Sequence, residues 1–267
     1  MKKSLITFIP FVVAGLVAVG GPSASAQTLE AQLQAANYNP ITGVWYDNSI
    51  NANNATFSFV GATPTLVPGV TPSGASAVSI VGSSGSYGNG TRFSFLSPIS
   101  GASGYTVFAV CEPTTGLGRN SLTGGSSSGA LEYDIYNGPQ DYLQEYQSDN
   151  GHGNATISTS SFSLIDLAVS SSGASFRLNG ASDGNVAGGT FGSPITEVGN
   201  NEGGGDYFSG YIAEIDIYSG VLSGAQISAV ESQLTTEYLT PTPEPATFAM
   251  LAGGFGLLFA TRRFGRK

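Results

Sequence analysis

Cysteine and histidine each occur once in these 267 residues, as Cys111 and His152. A single cysteine excludes an intramolecular disulfide and any cysteine-based metal cluster. Cys111 ends the apolar run Tyr105-Thr-Val-Phe-Ala-Val-Cys111, which predicts a small buried side chain on a strand. An exposed thiol would also be a hazard in an oxidising compartment. His152 sits in the turn-like Asn150-Gly-His-Gly-Asn154. A zinc site or Ser-His-Asp triad centred on it would have carboxylates alone as helpers, so no catalytic role is expected of it. Positive charge is equally scarce. The nine basic residues are Lys2, Lys3, Arg92, Arg119, Arg177, Arg262, Arg263, Arg266 and Lys267. Residues 27–242 therefore hold three arginines and no lysine against seventeen acids, a net charge of −14. Such a surface has no cations to displace phosphate counterions, which excludes nucleic acid and anionic lipid as partners.

The basic residues that do occur gather at the two ends. Lys2 and Lys3 precede an apolar core from Leu5 to Val19 and the small-residue sequence Ala24-Ser25-Ala26. That order predicts a signal peptide over residues 1–26, with Ala24 and Ala26 as the cleavage signal. At the other end, Pro243-Glu244-Pro245 leads into an apolar run from Ala246 to Ala260, followed by Arg262, Arg263, Arg266 and Lys267. Fifteen helical residues reach only about 22 Å, short of a ~30 Å hydrocarbon core, with the basic end held on the cytoplasmic side. On physics alone a plain C-terminal membrane anchor is as good a reading. The order of the three parts closely resembles the PEP-CTERM sorting signal of exopolysaccharide-producing Gram-negative bacteria. The resemblance implies a tail that is recognised and removed by an exosortase, a membrane protease-transpeptidase. It further implies transient membrane anchoring, then delivery to the cell surface or extracellular matrix.

Between the ends, short runs of Val, Ile, Phe and Tyr alternate with segments rich in Gly, Ser, Thr and Asn, the pattern of many strands joined by turns. Strands are expected at residues 55–60, 77–81, 91–96, 105–112, 130–136, 142–147, 163–169, 175–179 and 207–218. Their spacing suits an all-β, two-sheet jelly-roll sandwich. One helix is expected as well. Ser223 and Gln226 form a capping-box pattern, and Ile227, Val230, Leu234 and Tyr238 follow as one apolar stripe. Thr240-Pro-Thr-Pro ends it and stiffens the link to the tail. The resulting division is 1–26, 27–239, and 240–267 for linker and hydrophobic sorting helix.

Three segments, Trp45-Tyr-Asp-Asn-Ser-Ile-Asn-Ala-Asn-Asn-Ala55, Gly101-Ala-Ser-Gly-Tyr-Thr-Val-Phe-Ala-Val110 and the strand from Phe208 to Ser223 with its following helix, are similar to laminin-G-like, concanavalin-A-like jelly rolls. That resemblance implies a non-catalytic domain binding polysaccharide or a partner protein.

The chemistry candidates are few. Glu214-Ile-Asp216 resembles the strand motif of retaining jelly-roll glucanases, but Tyr218 and Ser219 stand where the second glutamate would fall. The chain is therefore expected not to be an enzyme; glycan cleavage by the Glu214-Ile-Asp216 strand is the alternative. Oxygens for a calcium ion are offered by Asp47 and Asn51, alternating in one turn, and by Asp206 in a glycine-rich loop; the turn oxygens could equally bond their own backbone. No other cofactor is expected. A glycan platform is offered by Tyr133, Tyr136, Tyr142 and Tyr146 beside Asn137, Gln140, Asp141 and Glu145.

Overall fold

Alternating apolar and polar residues bury one face of a strand, whereas continuously apolar strands must be covered on both faces. Both kinds occur here and sort into two antiparallel sheets. The computed structural model describes residues 27–59, 62–82, 91–102, 104–114, 119–125, 133–137, 141–145, 151–187, 194–200 and 207–242. In chain order the strands are β1 (Leu29–Gln34), β2 (Tyr38–Asn39), β3 (Val44–Trp45), β4 (Ala55–Phe59), β5 (Thr65–Val67), β6 (Ala77–Ile80), β7 (Thr91–Ile99), β8 (Tyr105–Pro113) and β9 (Arg119–Gly124). They continue as β10 (Tyr133–Asn137), β11 (Asp141–Glu145), β12 (Gly151–His152), β13 (Ser163–Ser170), β14 (Gly173–Leu178), β15 (Ala181–Ala187), β16 (Ile195–Val198) and β17 (Gly210–Ser219). One helix, α1 (Gly224–Leu234), follows and loosens into a π-helical turn at Thr235–Leu239.

The first sheet runs β15-β14-β13-β8-β17-β6-β5, with β1 also paired to β17. The second runs β12-β11-β10-β9-β16-β7-β4-β3-β2. Their inner faces share a core in which Val107, Ile165, Phe176, Ile215 and Ile217 of the first sheet meet Trp45, Phe93 and Val198 of the second. Cys111 is fully buried in that core, as expected, and burial pushes its thiol far above the usual range.

β8, β13 and β17 are buried almost throughout because the outer face of their sheet is covered too. There Phe108, Val110, Leu164 and Ala213 pack against Ile227, Leu234 and Tyr238 of the C-terminal helical segment. The capping box forms: the Gln226 amide donates to Ser223 Oγ at 3.4 Å, and the Ser223 amide donates to Gln226 Oε1 at 2.9 Å. The two-sheet sandwich with one C-terminal helix is thus observed. Strands β1, β2, β3, β5, β9, β12, β15 and β16 were not expected from periodicity. β1 reads Leu-Glu-Ala-Gln-Leu-Gln, and its glutamines find partners on β17, which no local pattern announces. The signal-peptide residues 1–26 and the tail from Pro243 lie outside the described residues. Among the described residues no helix is long and apolar enough to cross a membrane.

Candidate functional site

The outer face of the second sheet carries a connected polar cluster. Phe93 of β7 and Ala55 of β4 are buried in the core, so alternation turns Arg92, Ser94, Thr56 and Ser58 outward. Register places Glu197 of β16 beside Ser94. The Arg92 guanidinium lies 3.3 Å from Glu197 Oε1, and its Nε donates to Ser58 Oγ at 3.3 Å. Ser58 and Ser94 hydroxyls are 3.0 Å apart. Asn200 Nδ2 donates to Glu197 Oε2 at 2.9 Å. Gly199, at φ +82°, supplies the left-handed turn that brings Asn200 back onto this carboxylate. The Arg92 side chain is 39% exposed, whereas that of Glu197 is 7% exposed. Asn200 is buried, and its Oδ1 has no hydrogen-bond partner; neither has the buried Oγ1 of Thr196. The cluster thus combines a charged donor, a held carboxylate and two serines. Those are the groups that bond sugar hydroxyls.

The expected glycan platform falls in the same sheet. Tyr136 of β10 is registered with Tyr142 of β11, and Tyr133 with Glu145. From β7 the sheet order runs through β16 and β9 to β10, three strand spacings or about 15 Å. Tyr146 lies outside the described residues.

The calcium reading of the Asp47 turn meets a geometric objection. Asp47 Oδ1 accepts from the Gln32 and Ser49 amides, each at 2.8 Å, and Oδ2 accepts from the Asn53 amide and the Ser49 hydroxyl, each at 2.7 Å. Four donors fill the carboxylate's acceptor sites and leave no lone pairs for a cation. Asn51 turns its amide Nδ2 toward the Leu29 and Glu30 carbonyls, both at 3.3 Å. The turn binds the β3–β4 connection to β1, and Ala52 takes a left-handed φ of 48° to close it. Asp206 lies outside the described residues. Among the described residues no three His, Cys, Asp or Glu side chains converge to hold a metal.

Glu214 and Asp216 share a strand face, as expected, but it is the face beneath the C-terminal helical segment. They are 0% and 2% exposed. Glu214 Oε1 accepts from Gln32 Nε2 at 2.8 Å, Gln34 Nε2 lies 3.3 Å from Oε2, and the Tyr238 hydroxyl donates from above. Burial pushes the Glu214 carboxyl up; burial and the Glu214 charge push Asp216 well up. A polymer cannot reach either carboxylate in this fold, so the pair is a covered polar layer and not an open cleft.

No protein-family model matches the sequence, and no curated protein matches it. Solved structures do resemble it in fold. Domain 4 of AbnA, an extracellular GH43 arabinanase from Geobacillus stearothermophilus solved with arabinotriose, superposes with a TM-score of 0.58 at 17% identity. The match covers 77% of this chain and 98% of that domain. The binding domain of Paraclostridial Mosquitocidal Protein 1 gives 0.52 at 14% identity, covering 76% of this chain. Trypanosoma rangeli sialidase gives 0.53 at 14%, covering 79% of this chain. The fold is a jelly-roll β-sandwich. The chain spans nearly all of the arabinanase domain, 52% of the mosquitocidal binding domain and 33% of the sialidase.

Arg92 and Glu197 were not singled out from the sequence as site residues. One signal pointed to Arg92: it is one of only three cations between residues 27 and 242. Of the other two, Arg177 is held by Glu231 at 2.7 Å on the opposite sheet.

Proposed function

We propose that this is a non-catalytic carbohydrate-binding protein, exported and sorted through its tail, that binds extracellular polysaccharide on the outer face of the second sheet. The observation that carries the reading is the exposed Arg92 with Ser58 and Ser94, held in place by the buried Glu197 and Asn200, on the outer face of a jelly-roll sandwich. The fold likeness to a domain solved with arabinotriose supports it. The burial of Glu214 and Asp216 supports a binding role over glycan cleavage. The Pro243-Glu244-Pro245 signal and basic end supply the route: an exosortase partner, a temporary membrane hold, then release to the surface or matrix. The reading needs no cofactor.

Titration calorimetry with arabinotriose tests the site. Arg92→Ala removes a charge-assisted hydrogen-bond donor and is expected to weaken binding about tenfold or more. No new reducing ends are expected on incubation with polysaccharide. Binding unchanged in Arg92→Ala, or hydrolysis by the wild type, overturns the reading. Mass spectrometry of the protein after export from its own cells is expected to show Gln27 at the N-terminus and loss of the residues beyond Pro245. An intact Lys267 overturns the sorting proposal and restores the plain anchor.

A further inference from the structure

The polar cluster is one end of a longer outward surface, and the other end is apolar. Trp45, Ala55 and Phe95 are registered across β3, β4 and β7 and are all buried in the core. One step along each chain brings Tyr46, Asn54 and Leu96 into a row on the outer face. The Leu96 amide donates to Asn54 O at 3.0 Å within that row, and the Tyr46 amide is held on its other side by Asn37 O at 3.2 Å. Tyr46 is 45% exposed and Leu96 is 78% exposed. The next row on the same face holds Val44, Thr56, Ser94 and Glu197, and the row after it Ser58 and Arg92. Rows on one face are about 7 Å apart, so the Tyr46–Leu96 end lies about 14 Å from the Arg92–Ser58 end. That is about the length of a trisaccharide.

Resting on the carbohydrate-binding reading above, we propose that this face takes a neutral oligosaccharide. One ring lies on Tyr46, at the end of the face that Leu96 also lines, and the following rings bond Ser94, Ser58 and Arg92 through their hydroxyls. A sugar ring has one face of C–H groups, which an exposed aromatic ring accepts, while the polar groups one and two rows away set direction. Charge decides against an acidic chain. Arg92 is the one cation with a described side chain on this sheet, and Glu197 already neutralises it at 3.3 Å. A uronate arriving there would compete with a carboxylate held in place, against a body of net charge −14.

The experiment is calorimetry on the full chain with three probes: arabinotriose, cellotriose and trigalacturonate. At least one neutral trisaccharide is expected to bind about tenfold or more tighter than trigalacturonate. Tyr46→Ala is expected to weaken the neutral ligand about five- to tenfold and Tyr46→Phe by less than about twofold, since the ring, not the hydroxyl, is the platform. Tyr46 is exposed, so both Tyr46 variants should keep the wild-type melting midpoint. Neutral binding lost in Arg92→Ala but unchanged in Tyr46→Ala overturns this inference and leaves the polar site standing. Neutral binding unchanged in both overturns the site itself. Trigalacturonate binding as tightly as the neutral probes overturns the neutral class, and no binding of any probe by the wild type overturns both readings.

Discussion

Arg177→Met should cost about 3 kcal/mol of stability at pH 7, because it leaves the buried Glu231 carboxylate without its counter-charge. Arg177 of β14 reaches α1, where its Nε donates to Glu231 Oε1 at 2.7 Å and its Nη2 to Glu231 Oε2 at 3.0 Å. The same guanidinium lies 3.8 Å from Asp166 of β13, which is fully buried and whose oxygens accept no hydrogen bond. Burial, and then the Glu231 carboxylate, push the Asp166 carboxyl up to about 8, despite the opposing charge of Arg177. Burial thus biases Asp166 toward its protonated form near neutral pH. The sign follows from linkage. A folded-state value raised above the unfolded one contributes stability that is complete below about pH 4 and is lost as pH rises through about 8. The buried Glu214–Asp216 pair has the same sign. Asp166→Asn should remove its share of that slope and raise stability at pH 8 by about 1–2 kcal/mol, while Arg177 and Glu231 stay paired. Urea unfolding at pH 5, 7 and 9 measures both variants beside the wild type. A loss under about 0.5 kcal/mol in Arg177→Met, within the ordinary range for surface changes, would rule out the buried clasp. So would an Asp166→Asn curve parallel to wild type.

Trp45→Ala should cost about 4 kcal/mol, the range for deleting a buried aromatic side chain. Trp45 is the chain's one tryptophan and is fully buried. Its ring meets Phe93 edge-on at 5.2 Å and Tyr38 at 6.2 Å, and Tyr38 meets Phe93 at 5.5 Å. Its indole N–H donates to Gln34 O at 2.7 Å, so removal also strips a carbonyl of its partner. At this chain length 4 kcal/mol corresponds to a melting midpoint lowered by roughly 8–16 °C. The loss should also carry away sugar binding, because Trp45 seats the strand end that presents Tyr46. A midpoint within about 2 °C of wild type, or intact arabinotriose binding at a lowered midpoint, would show that this triad does not anchor the binding face.

Much of the fold was legible from local pattern. The runs that became β8, β13 and β17 stood out as apolar, and the Ser223–Gln226 capping box with Ile227 and Leu234 marked the helix to within a residue. What local pattern could not show was β1, whose Gln32 and Gln34 look like solvent residues until β17 brings Glu214 to them. The candidate site was less legible still. Arg92 and Glu197 come from β7 and β16, and neither segment holds a motif; only sheet pairing makes them neighbours. Exposed Tyr46 was hidden in a segment read for its oxygens.

By itself, the amino-acid order determined an all-β body, its strong negative charge, a buried Cys111 and a capped C-terminal helix. These follow from composition, two-residue and near-four-residue periodicity, and hydrogen bonds made within a few residues. Only the tertiary structure decided what the acids do. Glu214 and Asp216 could have faced a cleft or a helix, because alternation says that they share a face but not what covers it. Asp47 could have offered its oxygens to a cation or to its own turn, and only the tertiary structure brings four donors to it. Glu197 became part of a surface cluster because a neighbouring strand delivered Arg92. Side-chain chemistry is written locally, whereas burial and partnership depend on which strands lie side by side.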